Sequence, residues 1–155
     1  MTAGVVARPA ASSENARRTM QANRRVSRRE LELRAAVRRA GLRGYRVASK
    51  LPGRPDLAFP GVRLAVFVHG CFWHRCPSCA LAVPKANREF WTEKFRRNVE
   101  RDDRAVAELA ALGWDSMVVW EHDIRGDVDA IAAAISERVA RRRARRAATT
   151  EGDRY

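Results

Sequence analysis

All three cysteines of this chain, Cys71, Cys76 and Cys79, fall within nine residues, close behind or around His69 and His74. Thiols and imidazoles in a C-x4-C-x2-C arrangement are metal ligands by type and spacing. An odd, clustered set also suits a metal site in a reducing compartment better than a disulfide framework. Val66-Phe67-Val68 runs straight into this knuckle through His69-Gly70, and Phe72-Trp73 stand between the ligands with no obvious core to join. A covered strand emptying into a metal knuckle beside unpacked aromatics has the composition of an active-site edge. The bland reading is three buried free thiols.

Three carboxylates could act with such a centre, and each has a structural reading of its own. Glu30 closes a Ser27-Arg28-Arg29-Glu30 capping box, which accounts for it without chemistry. Asp56 follows Leu51-Pro52-Gly53-Arg54-Pro55, where two prolines and a glycine force a turn, so it is either turn chemistry or a metal ligand. Asp102 fills a gap in an apolar helical stripe of Trp91, Phe95, Val99, Val106 and Leu109. It is either a solvated deviation or a group that orients another, because charged residues are seldom buried unpartnered.

The elements that must position these residues follow in order. Residues 1–26 are small, polar and basic and read as a flexible arm that could order on DNA. A helix from Ser27 carries Leu31, Ala35, Val37 and Leu42 and ends at Gly41 and Gly44. Tyr45 to Val47 alternates like a short strand. A second strand follows Asp56, Pro60-Gly61 turns it, and Val62 to Val68 returns with both faces apolar, as a central strand requires. A long helix spans about Arg88 to Leu112, a strand runs from Trp114 to Trp120, and Asp127 starts a last amphipathic helix with Ile131, Ile135 and Val139. It leads into the basic run from Arg141 to Arg146, expected to be a disordered tail over 141–155. The expectation is one domain, residues 27–140, an α/β fold of three layers with a mixed central sheet.

The net charge of +13 and pI near 11.3 point to a nucleic-acid partner, which such surfaces bind by displacing counterions from phosphate. Arginines outnumber lysines 28 to 3, which a GC-rich genome would produce by itself, but the excess over 18 acids has no such origin. No apolar run approaches the roughly 18 residues of a membrane span. No signal peptide is recognisable, and a cytoplasmic location is expected.

Leu51 to Asp56, Val68-His69-Gly70-Cys71-Phe72-Trp73-His74, Phe90-Trp91 with Asn98-Val99-Glu100-Arg101-Asp102, and Leu112-Gly113-Trp114 through Val119 to His122 stand in the order and spacing of the very short patch repair endonucleases. The resemblance covers about residues 17–126, and the string from His69 to His74 is its most specific part. It implies a bacterial enzyme of restriction-endonuclease-like fold that nicks DNA 5' to the thymine of a T:G mismatch left by deaminated 5-methylcytosine. It further implies a monomer using magnesium, a structural zinc, and a functional link to a cytosine methyltransferase and mismatch-repair proteins.

Carried over residue by residue, the resemblance makes Asp56 and the Val68 carbonyl the magnesium ligands, His74 the base that activates water, and Asp102 the acid beside it. His69 and Glu30 match further active-site positions. Cys71, Cys76 and Cys79 would hold zinc, with the fourth ligand drawn from His69, His74 or His122; His122 stands where the family has a cysteine and leaves His74 for chemistry. The family's third ligand more often aligns with Ser78, so Cys79 shifts the knuckle by one residue. Phe72, Trp73 and Trp91, with Met20 of the arm, match aromatics and an apolar side chain that wedge into the base stack. A zinc-stabilised DNA-binding protein without nuclease activity, or a related nuclease of different specificity, is the competing reading.

Overall fold

The computed structural model describes residues 26–152; Met20 and the rest of the arm up to residue 25 lie outside the described residues. Helix α1, Arg28–Arg39, opens on the expected capping box, with the Glu30 amide donating to Ser27 Oγ at 3.1 Å and the Ser27 amide to the Glu30 carboxylate at 3.3 Å. Its buried face is Leu33, Ala36 and Val37. Leu31 points away and is 53 % exposed, because two positions along a helix turn a side chain by about 200°.

Strand β1, Leu57–Phe59, pairs antiparallel with β2, Leu64–His69, with Leu57 opposite Val66 and Phe59 opposite Leu64. The strand expected over Tyr45 to Val47 shrinks to one bridge, Arg46 with Ala58. Ala48, at φ 52°, leaves the extended conformation at once, and Arg46 and Val47 are exposed, with no apolar face to bury. Strand β3, Asp115–Trp120, lies parallel to β2 from Leu64 opposite Asp115 to His69 opposite Trp120. Parallel neighbours need a long crossover, here supplied through helix α2, Arg88–Ala111. The sheet is small and mixed, in the order β1-β2-β3.

Helix α3, Glu121–Gly152, is broken at Asp127 (φ −156°, ψ 89°), whose carboxylate accepts from the Ala130 amide at 3.0 Å as an N-cap. The helix expected from Asp127 is therefore present, preceded by a short helical piece, 121–126, that carries His122. Helix α3 also continues through the arginines expected to form a tail. Alanine and arginine are strong helix formers, and Arg142 fastens the segment to the domain, donating to the carbonyls of Val62 (3.1 Å), Gly113 (3.2 Å) and Arg63 (3.4 Å). Among the described residues no helix is long and apolar enough to cross a membrane.

Helices cover both faces of the sheet. Leu57, Phe59, Leu64, Val66 and Val119 pack against Leu33 and Val37 of α1 and Ala132, Ile135 and Val139 of α3. Burying each of the larger side chains contributes about 1.5–3 kcal/mol. Ala65 and Phe67, on the other face, pack with Leu109 of α2, Leu51 and Trp114. Strand alternation puts His69 on this second face, at the end of β2 that runs toward α2. The central strand is thus covered on both sides, as its sequence requires.

The turn before Asp56 approaches α2 very closely. A Cβ on Gly53 would stand 2.6 Å from the Ala105 Cβ and 3.0 Å from the Phe67 ring, and Gly53 adopts φ +74°. Gly53→Ala is expected to destabilise the protein by about 2–4 kcal/mol, through strain and overpacking together. Denaturant unfolding measures it; a midpoint unchanged from that of the parent would show that the turn can retreat from α2 at no cost.

Candidate active site and metal centre

At the ends of β2 and β3 the chain turns into two polar clusters side by side. In the first, Cys71, Cys76 and Cys79 surround His122, with their sulfurs 3.2, 3.6 and 3.4 Å from its Nδ1. A tetrahedral zinc with bonds of about 2.3 Å to sulfur and about 2.0–2.1 Å to nitrogen requires such pairs to stand about 3.6 Å apart. The donor set and its spacing therefore fit zinc. His122 Nε2 meets the Asp123 carboxylate at 3.1 Å, the kind of outer partner that fixes a ligating imidazole. Burial raises the Cys76 thiol, but the amides of Cys79 and Ser78 and the neighbouring thiols outweigh it and hold it below its ordinary value. His69 and His74 both lie outside this cluster, and Cys79, not Ser78, completes the three sulfurs.

The second cluster is His69, His74 and Asp102. His74 Nδ1 and Asp102 Oδ2 are 2.5 Å apart, both side chains about one-fifth exposed. The His69 ring stacks on His74 with centroids 3.9 Å apart and planes 9° from parallel, and Trp120 meets His69 edge-on at 5.4 Å. Burial, and then the charge of His74, push His69 down to about 4. Asp56 shares one cavity of about 510 Å³ with these three residues and Val68. One of its oxygens accepts the Val68 amide at 2.6 Å, tying the turn to the end of β2. Burial drives its carboxyl up to about 6, against that hydrogen bond. A hard cation takes carboxylate and carbonyl oxygens, often one carboxylate plus substrate phosphate and water, so Asp56 and the Val68 carbonyl are a suitable donor pair.

Glu30 does not line this cavity. It serves the capping box and receives Arg34 at 2.5 Å, and its charge adds to the upward pressure on Asp56. Phe72, Trp73 and Trp91 form one half-buried aromatic group with Phe90 and Phe95; Phe72 lies 5.7 Å from Trp91 and 5.0 Å from Phe95, and Trp73 lies 5.7 Å from Trp91. The group joins the knuckle to the start of α2.

Helix α2 corrects one part of the sequence reading. Val99 and Val106 are 37 % and 39 % exposed, and the side facing the body is Trp91, Phe95, Asn98, Asp102, Ala105 and Leu109. Asn98, which pattern reading passed over, donates to the Trp73 carbonyl at 3.0 Å and so anchors the knuckle to the helix. Its signal was available: it stands four residues before Asp102, on the same face. Arg54, Arg101 and Arg104, also passed over, line the cavity.

A thiolate–imidazole knuckle whose donor set fits zinc thus stands beside a histidine–carboxylate pair and an acidic turn. The family model described as DNA mismatch endonuclease Vsr matches residues 11–80. The DNA mismatch endonuclease Vsr of Escherichia coli (strain K12) is 43 % identical over 91 residues, which is 59 % of this chain and 58 % of that protein, less than two thirds of its length. Two relatives are matched more completely. The type II nicking enzyme V.NaeI of Lentzea aerocolonigenes is 38 % identical over 82 % of this chain and 78 % of its own. The type II nicking enzyme V.XorIIP of Xanthomonas oryzae pv. oryzae is 38 % identical over 80 % and 91 %. The chain belongs to the Vsr family of DNA mismatch endonucleases.

Proposed function

We propose that this protein is a magnesium-dependent DNA endonuclease that nicks one strand 5' to the thymine of a T:G mismatch, starting very short patch repair. The observation that carries the reading is the His74–Asp102 pair, 2.5 Å apart, in the same cavity as Asp56. A DNA-binding protein without chemistry has no use for it. Asp102 accepts Nδ1–H and leaves Nε2 of His74 to take a proton from the attacking water. His69 supports the His74 ring from its stacked face. Asp56 and the Val68 carbonyl would hold the cation, whose charge would serve to polarise the phosphodiester and stabilise the leaving oxygen. Glu30 and Arg34 set the charge behind Asp56.

Cys71, Cys76, Cys79 and His122 hold a structural zinc in this reading, and the layers are those of the restriction-endonuclease-like fold. Phe72, Trp73 and Trp91 enter the base stack at the mismatch, where a weakly paired step opens at lower cost; Met20 of the arm joins them. The protein works as a cytoplasmic monomer on double-stranded DNA, in step with a cytosine methyltransferase and mismatch-repair proteins.

The test is cleavage of an end-labelled duplex with one T:G mismatch in a CT(A/T)GG context beside its matched control, with magnesium and with chelator. Magnesium-dependent nicking of the mismatched thymine strand alone is the expected result. Cutting of both duplexes would replace mismatch repair with a different specificity, and binding without cutting would leave a DNA-binding protein. The names of V.NaeI and V.XorIIP, both type II nicking enzymes, give a reason to vary the flanking bases.

A further inference from the structure

The catalytic cavity is larger than its chemistry needs. Beyond Asp56, His69, His74 and Asp102 it runs along α2 between the turn at Gly53 and the end of the second sheet face, and it is lined there by Arg54, Arg101, Arg104 and Val106. Most other arginines near the body are tied. Arg96 and Arg97 pair with Glu93, Arg138 pairs with Asp115, and Arg142 holds three carbonyls. The three in the cavity have no acidic partner among the described residues. Among the described residues Arg54 and Arg104 make no ion pair or side-chain hydrogen bond, and Arg101 reaches only the Asn98 side chain, at 3.4 Å. Glu108 lies one turn beyond Arg104, in reach by sequence, yet no ion pair joins them among the described residues.

Cations left unpaired in a cleft with apolar walls focus a positive field into it. The walls here are Phe67, Ala105, Val106 and Val118. We propose that Arg54, Arg101 and Arg104 form a subsite for the backbone phosphates of the cut strand that flank the scissile bond, adjoining the Asp56–His74 centre. The assignment rests on the endonuclease reading for the identity of the strand. Guanidinium groups fit it, because they keep their charge when partly desolvated and offer paired donors to phosphate oxygens. Arg54 comes from the turn and Arg101 and Arg104 from α2, so the strand is gripped from both sides of the cavity. Its scissile phosphate is thereby set against His74.

The experiment measures binding apart from cutting. A fluorescein-labelled T:G duplex is titrated with wild type, with Arg54→Gln/Arg104→Gln and with Arg54→Lys/Arg104→Lys, without magnesium, over a series of salt concentrations. Each lost phosphate contact removes about 0.9 from the slope of log affinity against log salt. The glutamine variant is expected to flatten that slope by about 1.8 and to weaken binding by roughly tenfold per arginine at low salt, with lysine restoring most of the slope. An unchanged slope would overturn the subsite. So would a loss of affinity that lysine does not rescue and that leaves the slope intact, since that is the mark of a structural role. Failure of the endonuclease reading shows separately, as a wild-type protein that nicks no duplex whatever its salt slope.

Discussion

Replacing Asp56 with alanine is expected to lower nicking by about 10³-fold or more while DNA binding holds or tightens. In the proposed mechanism the loss follows from removing the carboxylate that would hold the cation, an effect of several kcal/mol on the barrier. Binding is expected to survive because the deleted charge is negative and lines the same cavity as Arg54, Arg101 and Arg104. Alanine also strips the Val68 amide of its acceptor, now 2.6 Å from Asp56, which costs about 1–3 kcal/mol of stability. Asp56→Asn is therefore the companion variant: it keeps an acceptor for that amide and removes the charge. Both variants should be inactive in single-turnover nicking and bind the labelled duplex. Wild-type rates in the asparagine variant would remove Asp56 from the mechanism.

Loss of the thiolate cluster is expected to have the second largest effect, this time on the fold. Cys76 is 2 % exposed and stands among Cys71, Cys79 and His122. Cys76→Ser should lower zinc from about one per chain to near zero. It should also lower the melting temperature by on the order of 10 °C, as removal of several kcal/mol does in a chain of this size. Chelation of the parent protein should reproduce the shift. A zinc content that survives the substitution would mean that the metal, if present, is held elsewhere.

Much of this arrangement could be read before the structure, where the signal was local. Ser27 and Glu30 are three residues apart, and the capping box formed as its sequence states. The run from Leu64 to Val68 is apolar on both faces, and β2 is the covered central strand. What failed was register and reach. Valines at 99 and 106 outscore Asn98 and Ala105 on any hydrophobicity scale, yet the helix face toward the body falls one position earlier, burying Ala105 and half-burying Asn98. It does so because Asn98 has the Trp73 carbonyl to bond and Ala105 has the Gly53 turn to accommodate. Both partners are distant in sequence, so no window on α2 contains them. The strand at Tyr45 failed for a similar reason, since alternation over three residues says nothing about whether a neighbour is there to pair. The three cysteines announced a metal-ligating cluster and the resemblance chose His122 from three histidines; the structure closes the set with that residue.

That closure has a consequence for how the protein is made. The sulfurs come from one short stretch, while the nitrogen completing the set arrives 51 residues after Cys71, on the far side of α2. Drawing a free chain into a loop of that length costs about 3–4 kcal/mol. The pairing of β2 with β3 already meets this cost, since it brings Trp120 beside His69. The four-donor set is thus complete only once the sheet and the long crossover bring its parts together, and contacts so distant in sequence form slowly. A metal held by that set would therefore lock a scaffold already built rather than nucleate it.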